Sequence, residues 1–200
     1  MKLDLRFSNR PLEDLWCQAV ASLVFQESEI TDESLFGLNL KMGGFLADLK
    51  KKGLWTGIRG ERLLVAPQST IRSDRLLFHG LGPRSGYKVA IIEQSVRELG
   101  QVLYGLKVNE FGIAIPIIEK PNRDYLSLLE TAIQNLVKPF YEHHNHDANF
   151  LLKIIVSVER EFIERLYLVV DRLRLYFSSF LEVSIIIDRK IRDTLVVNTG

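Results

Sequence analysis

The chain has 200 residues, 46% of them hydrophobic and 26% charged, with 26 Lys and Arg against 25 Asp and Glu. This balance excludes a disordered chain, and the net charge of +1 supplies neither a basic field for nucleic acid nor an acidic excess. The length points to one domain over residues 1–200 with room for a proper core. Cys17 is the only cysteine, so no internal disulfide forms and a disulfide-bridged secreted scaffold is excluded. The N-terminus alternates apolar with charged residues, unlike a signal peptide, and no apolar run approaches a membrane span. A cytoplasmic location and no membrane association are the expectation.

In chain order, Leu3, Leu5 and Phe7 alternate with Lys2, Asp4 and Arg6, predicting a strand with one wet face, at an edge or first in a mixed sheet. Ser8-Asn9-Arg10-Pro11 predicts a short helix start leading to Leu12, Leu15 and Trp16, with Cys17 in the same element. Residues 19–25 predict a buried strand, and 26–42, which lack a clear period, a surface loop. Gly43-Gly44 opens a helix carrying Phe45, Leu46 and Leu49, closed by Lys50-Lys51-Lys52 and stopped at Gly53. Residues 54–66 predict a hairpin with its turn at Gly57–Gly60 and a return strand over 62–65. A strand over 75–79 runs into the loop Gly80-Leu81-Gly82-Pro83-Arg84-Ser85-Gly86. Ile92, Val96, Leu99, Val102, Leu103 and Leu106 then predict a helix ended by Gly105.

Residues 111–118 predict a strand, and Pro121-Asn122-Arg123-Asp124 a helix start whose stripe is Leu126, Leu129, Ile133, Leu136 and Phe140. A strand over 151–158, a helix over 159–177 and a strand over 183–187 follow. The alternation predicts an α/β fold with a mixed, mostly parallel sheet covered by helices on both faces. No repeat or low-complexity linker divides the chain.

Four stretches carry a resemblance: Gly43-Gly44-Phe45-Leu46-Ala47-Asp48-Leu49; Gly53-Leu54-Trp55-Thr56-Gly57; Gly60-Glu61-Arg62-Leu63-Leu64; and Asp74-Arg75-Leu76-Leu77-Phe78-His79-Gly80-Leu81-Gly82. In this order they resemble the N-terminal domain of the leucine aminopeptidase (cytosol aminopeptidase) family, most clearly over residues 35–116. The resemblance implies a macro-domain-like, three-layer α/β/α sandwich. In that family catalysis belongs to a separate C-terminal domain holding two metal ions in motifs such as N-T-D-A-E-G-R, which this sequence lacks. Val197-Asn198-Thr199-Gly200 matches only the opening of that motif, without the acidic residues. The expectation is a free-standing, non-catalytic interaction, assembly or regulatory module, with no catalytic residue, no cofactor and no metal. Its expected partner is another protein or a second copy of the chain.

The alternative is a macro-like module for a phosphorylated nucleotide. Gly80, Leu81, Gly82, Arg84, Ser85 and Gly86 join a strand to a helix, where backbone N–H groups and a helix N-terminus favour an anion. Macro domains proper bind ADP-ribose at loops of this kind, and the competing structural account is a tight strand-to-helix turn. His143, His144, His146 and Asp147 are metal-ligating types, better explained as a polar helix end. Residues 41–62 hold six Lys or Arg and two Asp or Glu, a local +4 too modest to predict nucleic-acid binding. His79, in an apolar strand end, is expected as a core or rim histidine. No nucleophile–base pair emerges: Cys17 has apolar neighbours, and Ser22, Ser69 and Ser85 lack a nucleophile-elbow motif.

Overall fold

The computed structural model describes residues 1–27, 33–68, 70–117 and 125–188, with the backbone alone for Glu33 and Ser34. Seven strands form one sheet: β1 (Lys2–Ser8), β2 (Ala19–Phe25), β3 (Arg62–Val65), β4 (Arg75–Gly82), β5 (Glu110–Ala114), β6 (Leu151–Ser157) and β7 (Glu182–Asp188). Their order is β3-β4-β2-β5-β6-β1-β7. β3 runs antiparallel to β4, with Arg62 opposite His79, and every other pairing is parallel. Parallel neighbours need crossovers, and the long amphipathic helices supply them.

α3 (Val89–Gly105), α4 (Tyr125–His144) and α6 (Tyr167–Ser178) lie over one face, burying Ile92, Val96, Leu99, Ile133, Leu136, Phe140 and Leu173 against Leu5, Ala21, Phe111 and Ile154. The opposite face carries α1 (Glu33–Lys41), α2 (Phe45–Lys51) and the loop residue Trp55. This second layer packs Leu38, Leu46 and Trp55 on Val20, Val24, Leu76 and Phe78. Among the described residues it does not extend over the far end of the sheet, where Lys2, Arg6, Glu182, Ser184 and Ile186 stay exposed.

Several expectations are corrected. β1 is interior, between β6 and β7; among the described residues no helix covers its wet face. The helix expected from Pro11 to Trp16 is only a 3₁₀ turn, Leu12–Asp14, with Trp16 exposed and Cys17 beyond it. The expected loop over 26–42 contains α1, which among its described side chains buries Leu35 and Leu38, too few positions to reveal a period. The predicted hairpin does not form: β3 pairs with β4, because Trp55 leaves the sheet plane to enter the core. The helix expected over 159–177 is two, α5 (Arg160–Ile163) and α6, separated by residues 164–166. The expected helix start at residues 121–124 and the strand end at Ile118 lie outside the described residues, as do residues 28–32 of the expected loop.

The Gly43-Gly44 start of α2 stands as read. Gly44 has φ +88°, and Gly43 has φ +63°, the left-handed region that side chains with a Cβ adopt at a cost. Nothing lies within 4 Å of a Cβ built at Gly44. Gly44→Val therefore loses stability through backbone strain alone, about 1–3 kcal/mol, and Gly44→Asn loses less. Urea unfolding of the two variants checks this ranking, and equal midpoints for both and for the parent chain would refute it.

Candidate functional site

The segment singled out in the sequence divides into two parts. Gly80, Leu81 and Gly82 are not loop but the last residues of β4. Leu81 is buried under α3, alongside Ile92 in the main core. Gly80 N–H donates to the Glu61 carbonyl at 2.8 Å, and Gly82 N–H to the Gly57 carbonyl at 3.0 Å. The two glycines thus receive the turn at residues 57–60, which lies flat on the strand.

Glu61 holds that turn together. Its Oε2 accepts from Thr56 N–H at 2.9 Å, Gly57 N–H at 2.6 Å and the Thr56 hydroxyl at 3.1 Å. Desolvation opposes ionisation of this carboxyl, but the donated hydrogen bonds outweigh it and hold the group below the usual carboxylate range.

Arg84, Ser85 and Gly86 form an exposed 3₁₀ turn ahead of α3. Arg84 N–H donates to Glu27 Oε2 at 2.8 Å, and this bond leads the causes that lower the Glu27 carboxyl. The Arg84 guanidinium lies 4.9 Å from the Phe25 ring centroid, a cation–π contact. The turn therefore receives an anionic group, and in this structure the group is a carboxylate of the same chain.

A separate cavity of about 520 Å³ opens at the carboxyl ends of β1, β5 and β6, lined by Asn9, Pro11, Ala114, Tyr125, Ser157 and Arg160 among others. Ligands of open α/β sheets sit beyond the carboxyl ends of the strands, where this cavity lies. Tyr125 is fully enclosed beside Phe162, and burial pushes its phenol well above the ordinary value. The Ser157 hydroxyl donates to the Arg10 carbonyl at 2.8 Å and ties β6 to the turn after β1. None of residues 80–86 lines this cavity. Four separate stretches build it, residues 9–13, 114–117, Tyr125 and 157–161, and the only trace in the sequence is Asn9 and Ser157, polar residues at strand ends.

The remaining candidates do not converge. The His143 ring stacks on Tyr104 at 4.2 Å and the His144 ring on Phe150 at 3.6 Å. Asp147 Oδ1 accepts from the N–H groups of Asn149 and Phe150, closing the turn into β6. Among the described residues no group of three metal-ligating side chains assembles. The basic run disperses: Lys50 donates to the Gln26 carbonyl, and Arg62 pairs with Glu98 on α3. Cys17 donates to the Ala19 carbonyl, and burial pushes its thiol up, away from a reactive thiolate. No helix among the described residues is long and apolar enough to cross a membrane.

Residues 23–146 match the cytosol aminopeptidase family, N-terminal domain. The chain belongs to this family. No curated protein matches the sequence. Among solved structures, a mutant of tomato leucine aminopeptidase aligns with a TM-score of 0.61 at 11% identity, covering 82% of this chain and 34% of that one. The chain thus spans about a third of the length of that aminopeptidase. An Oceanobacillus iheyensis macrodomain mutant aligns with a TM-score of 0.62 at 10% identity over 86% of this chain and 92% of that one. The Trypanosoma brucei macrodomain, solved in complex with ADP-ribose, gives 0.62 at 15% identity over 84% and 68%. At these identities the likeness establishes the fold: this cytosol aminopeptidase N-terminal domain has the macro-domain arrangement of a mostly parallel sheet between helices.

Proposed function

We propose that this cytosol aminopeptidase N-terminal domain is a non-catalytic assembly or regulatory module, one unit over residues 1–200 acting in the cytoplasm. The observation that carries this reading is the family match, which falls on the N-terminal domain rather than on a peptidase domain. It is supported by exposed apolar side chains on α6 and near α1 and α2, surface of the kind that partners cover. A leucyl-anilide assay with added manganese or zinc tests it. The expected rate is that of buffer, and a robust metal-dependent rate overturns the reading.

The likeness to a macrodomain solved in complex with ADP-ribose favours one second reading: a module for a phosphorylated nucleotide. In it, Arg84, Ser85 and Gly86 would meet a phosphate, with Gly80, Leu81 and Gly82 fixing the approach, and the phosphate would displace the Glu27 carboxylate. Calorimetry with ADP-ribose separates the two. Heat that disappears in Arg84→Glu supports the nucleotide reading at this turn, and no heat at about 1 mM ligand removes it.

A further inference from the structure

The cavity beyond β1, β5 and β6 lies at a point where the chain leaves neighbouring strands toward opposite faces. β1 and β6 are paired, with Ser8 opposite Ser157 at their carboxyl ends. After β1 the chain sends Leu12 and Leu15 into the layer that holds Trp55 and Leu46. After β6 it sends Phe162 and Ile163 into the other layer, under α3 and α4. Such a divergence opens a crevice outside the strand ends, which is where open α/β sheets hold ligands.

The walls say what kind of ligand fits. Leu12, Ile115 and Val158 make one part apolar, and the volume of about 520 Å³ suits a small organic molecule. The charged part sets the carboxylates of Glu13, Glu159 and Glu161 against the single guanidinium of Arg160, a net −2 with all four ionised. Glu13 Oε2 is buried and has no hydrogen-bond donor among the described residues. A phosphate brought here meets like charge in a recess poorly screened by water, whereas an ammonium meets opposite charge. Among the described residues no three metal-ligating side chains assemble, so the cation that answers this charge is organic rather than a bare metal ion.

Tyr125 supplies the second, independent observation. It lines the cavity at 4% exposure, and among the described residues its hydroxyl has no hydrogen-bond partner. Burial, and after it the field of the Glu159 carboxylate, keep the phenol protonated. An enclosed hydroxyl without a partner is destabilising until a ligand supplies one.

We propose that this cavity binds a small primary amine with an apolar body, its ammonium at the Tyr125 hydroxyl and the Glu159 carboxylate and its body against Leu12, Ile115 and Val158. The site is independent of both readings above, since none of residues 80–86 lines it and no peptidase chemistry is asked of it. Failure of the amine to bind therefore leaves those readings as they stand.

Titration of the ¹⁵N-labelled full chain with 2-phenylethylamine at pH 7, followed by NMR, tests the proposal. The expected result is saturable shifts of the Ala114, Tyr125 and Ser157 amides, with a Kd of about 1 mM for so small a ligand. The anionic analogue 3-phenylpropionate should bind at least about tenfold more weakly. Glu159→Gln should weaken the amine about tenfold and leave the neutral analogue 2-phenylethanol unchanged, a selectivity that loss of folding cannot imitate. Tyr125→Phe keeps the ring beside Phe162 and should weaken the amine about threefold. No saturable shift up to about 20 mM, equal binding of 3-phenylpropionate, or amine binding unchanged in either variant overturns the proposal.

Discussion

Gly80→Ala is expected to lose about 4 kcal/mol or more of stability, a large part of the 5–15 kcal/mol that a domain commands. A Cβ at Gly80 would lie 2.7 Å from both the carbonyl carbon and the oxygen of Gly57, and nearer still to the Ile58 carbonyl oxygen. These are backbone atoms, so no rotamer change relieves the clash. Nor can the turn retreat: Glu61 grips its N–H groups, and the Gly80 and Gly82 N–H groups bind its flanks. Gly86→Ala is the control, because there a Cβ meets only Pro83 Cγ, at 3.9 Å. That variant should stay within about 0.5 kcal/mol of the parent. Thermal melts read the difference as about 10 °C or more for Gly80→Ala and almost none for Gly86→Ala. Coincident melts for Gly80→Ala and the parent would mean that the turn is not seated on β4 as described. The result bears on function too. The first glycine of Gly-Leu-Gly has a structural duty that is complete without any ligand, so an anion role belongs to the Arg84–Gly86 end or to neither.

The sequence made the central layer legible and its margins hard to read. Residues 19–25 announce a strand buried on both faces because every position is apolar or small, and all seven are buried. The stripes of α3 and α4 are as clear, since each helix covers the sheet along its whole length. Alternation in β1 misleads about position: period-2 patterning reports whether a face is covered, and among the described residues the second helix layer stops short of β1, which is not at the end of the sheet. β3 misleads about pairing, because its partner β4 follows after nine intervening residues while Trp55, in the nearer run, goes into the core. The cavity at the strand ends was beyond reach for a related reason. It exists only once β5 and β6 have been inserted between β2 and β1, which no local pattern records. His79 was half legible: its apolar neighbours predict burial, but not that the ring would find no hydrogen-bond partner among the described residues.

Acidification from pH 7 to about pH 5 is expected to lower the melting temperature of the parent chain by several degrees and that of His79→Leu by much less. The His79 ring is 1% exposed, and among the described residues neither of its nitrogens has a hydrogen-bond partner. Burial lowers its affinity for a proton, and this outweighs the pull of Glu98, whose Oε2 lies 3.6 Å from Nε2, while Arg62 across the strand pair works in the same direction as burial. Glu98 is in any case engaged by Arg62 and by the Gln94 amide. The sign follows. An unfolded chain protonates this histidine below about pH 6.5, where the folded chain resists, so the unfolded state binds more protons and stability falls as pH drops toward the folded value. One such group contributes at most about 1.4 kcal/mol per pH unit, or about 2–4 °C for each kcal/mol at this chain length. The carboxylates held low, Glu27 and Glu61, give up their contribution only below about pH 4.5, outside this window. At pH 8 His79→Leu should be no less stable than the parent, because leucine removes two unpaired polar atoms, each costing about 1–3 kcal/mol when buried. Parallel melting curves for the two proteins between pH 5 and 7 would show that His79 gains a partner for its proton in the folded chain, with Glu98 turning from Arg62 to the imidazolium.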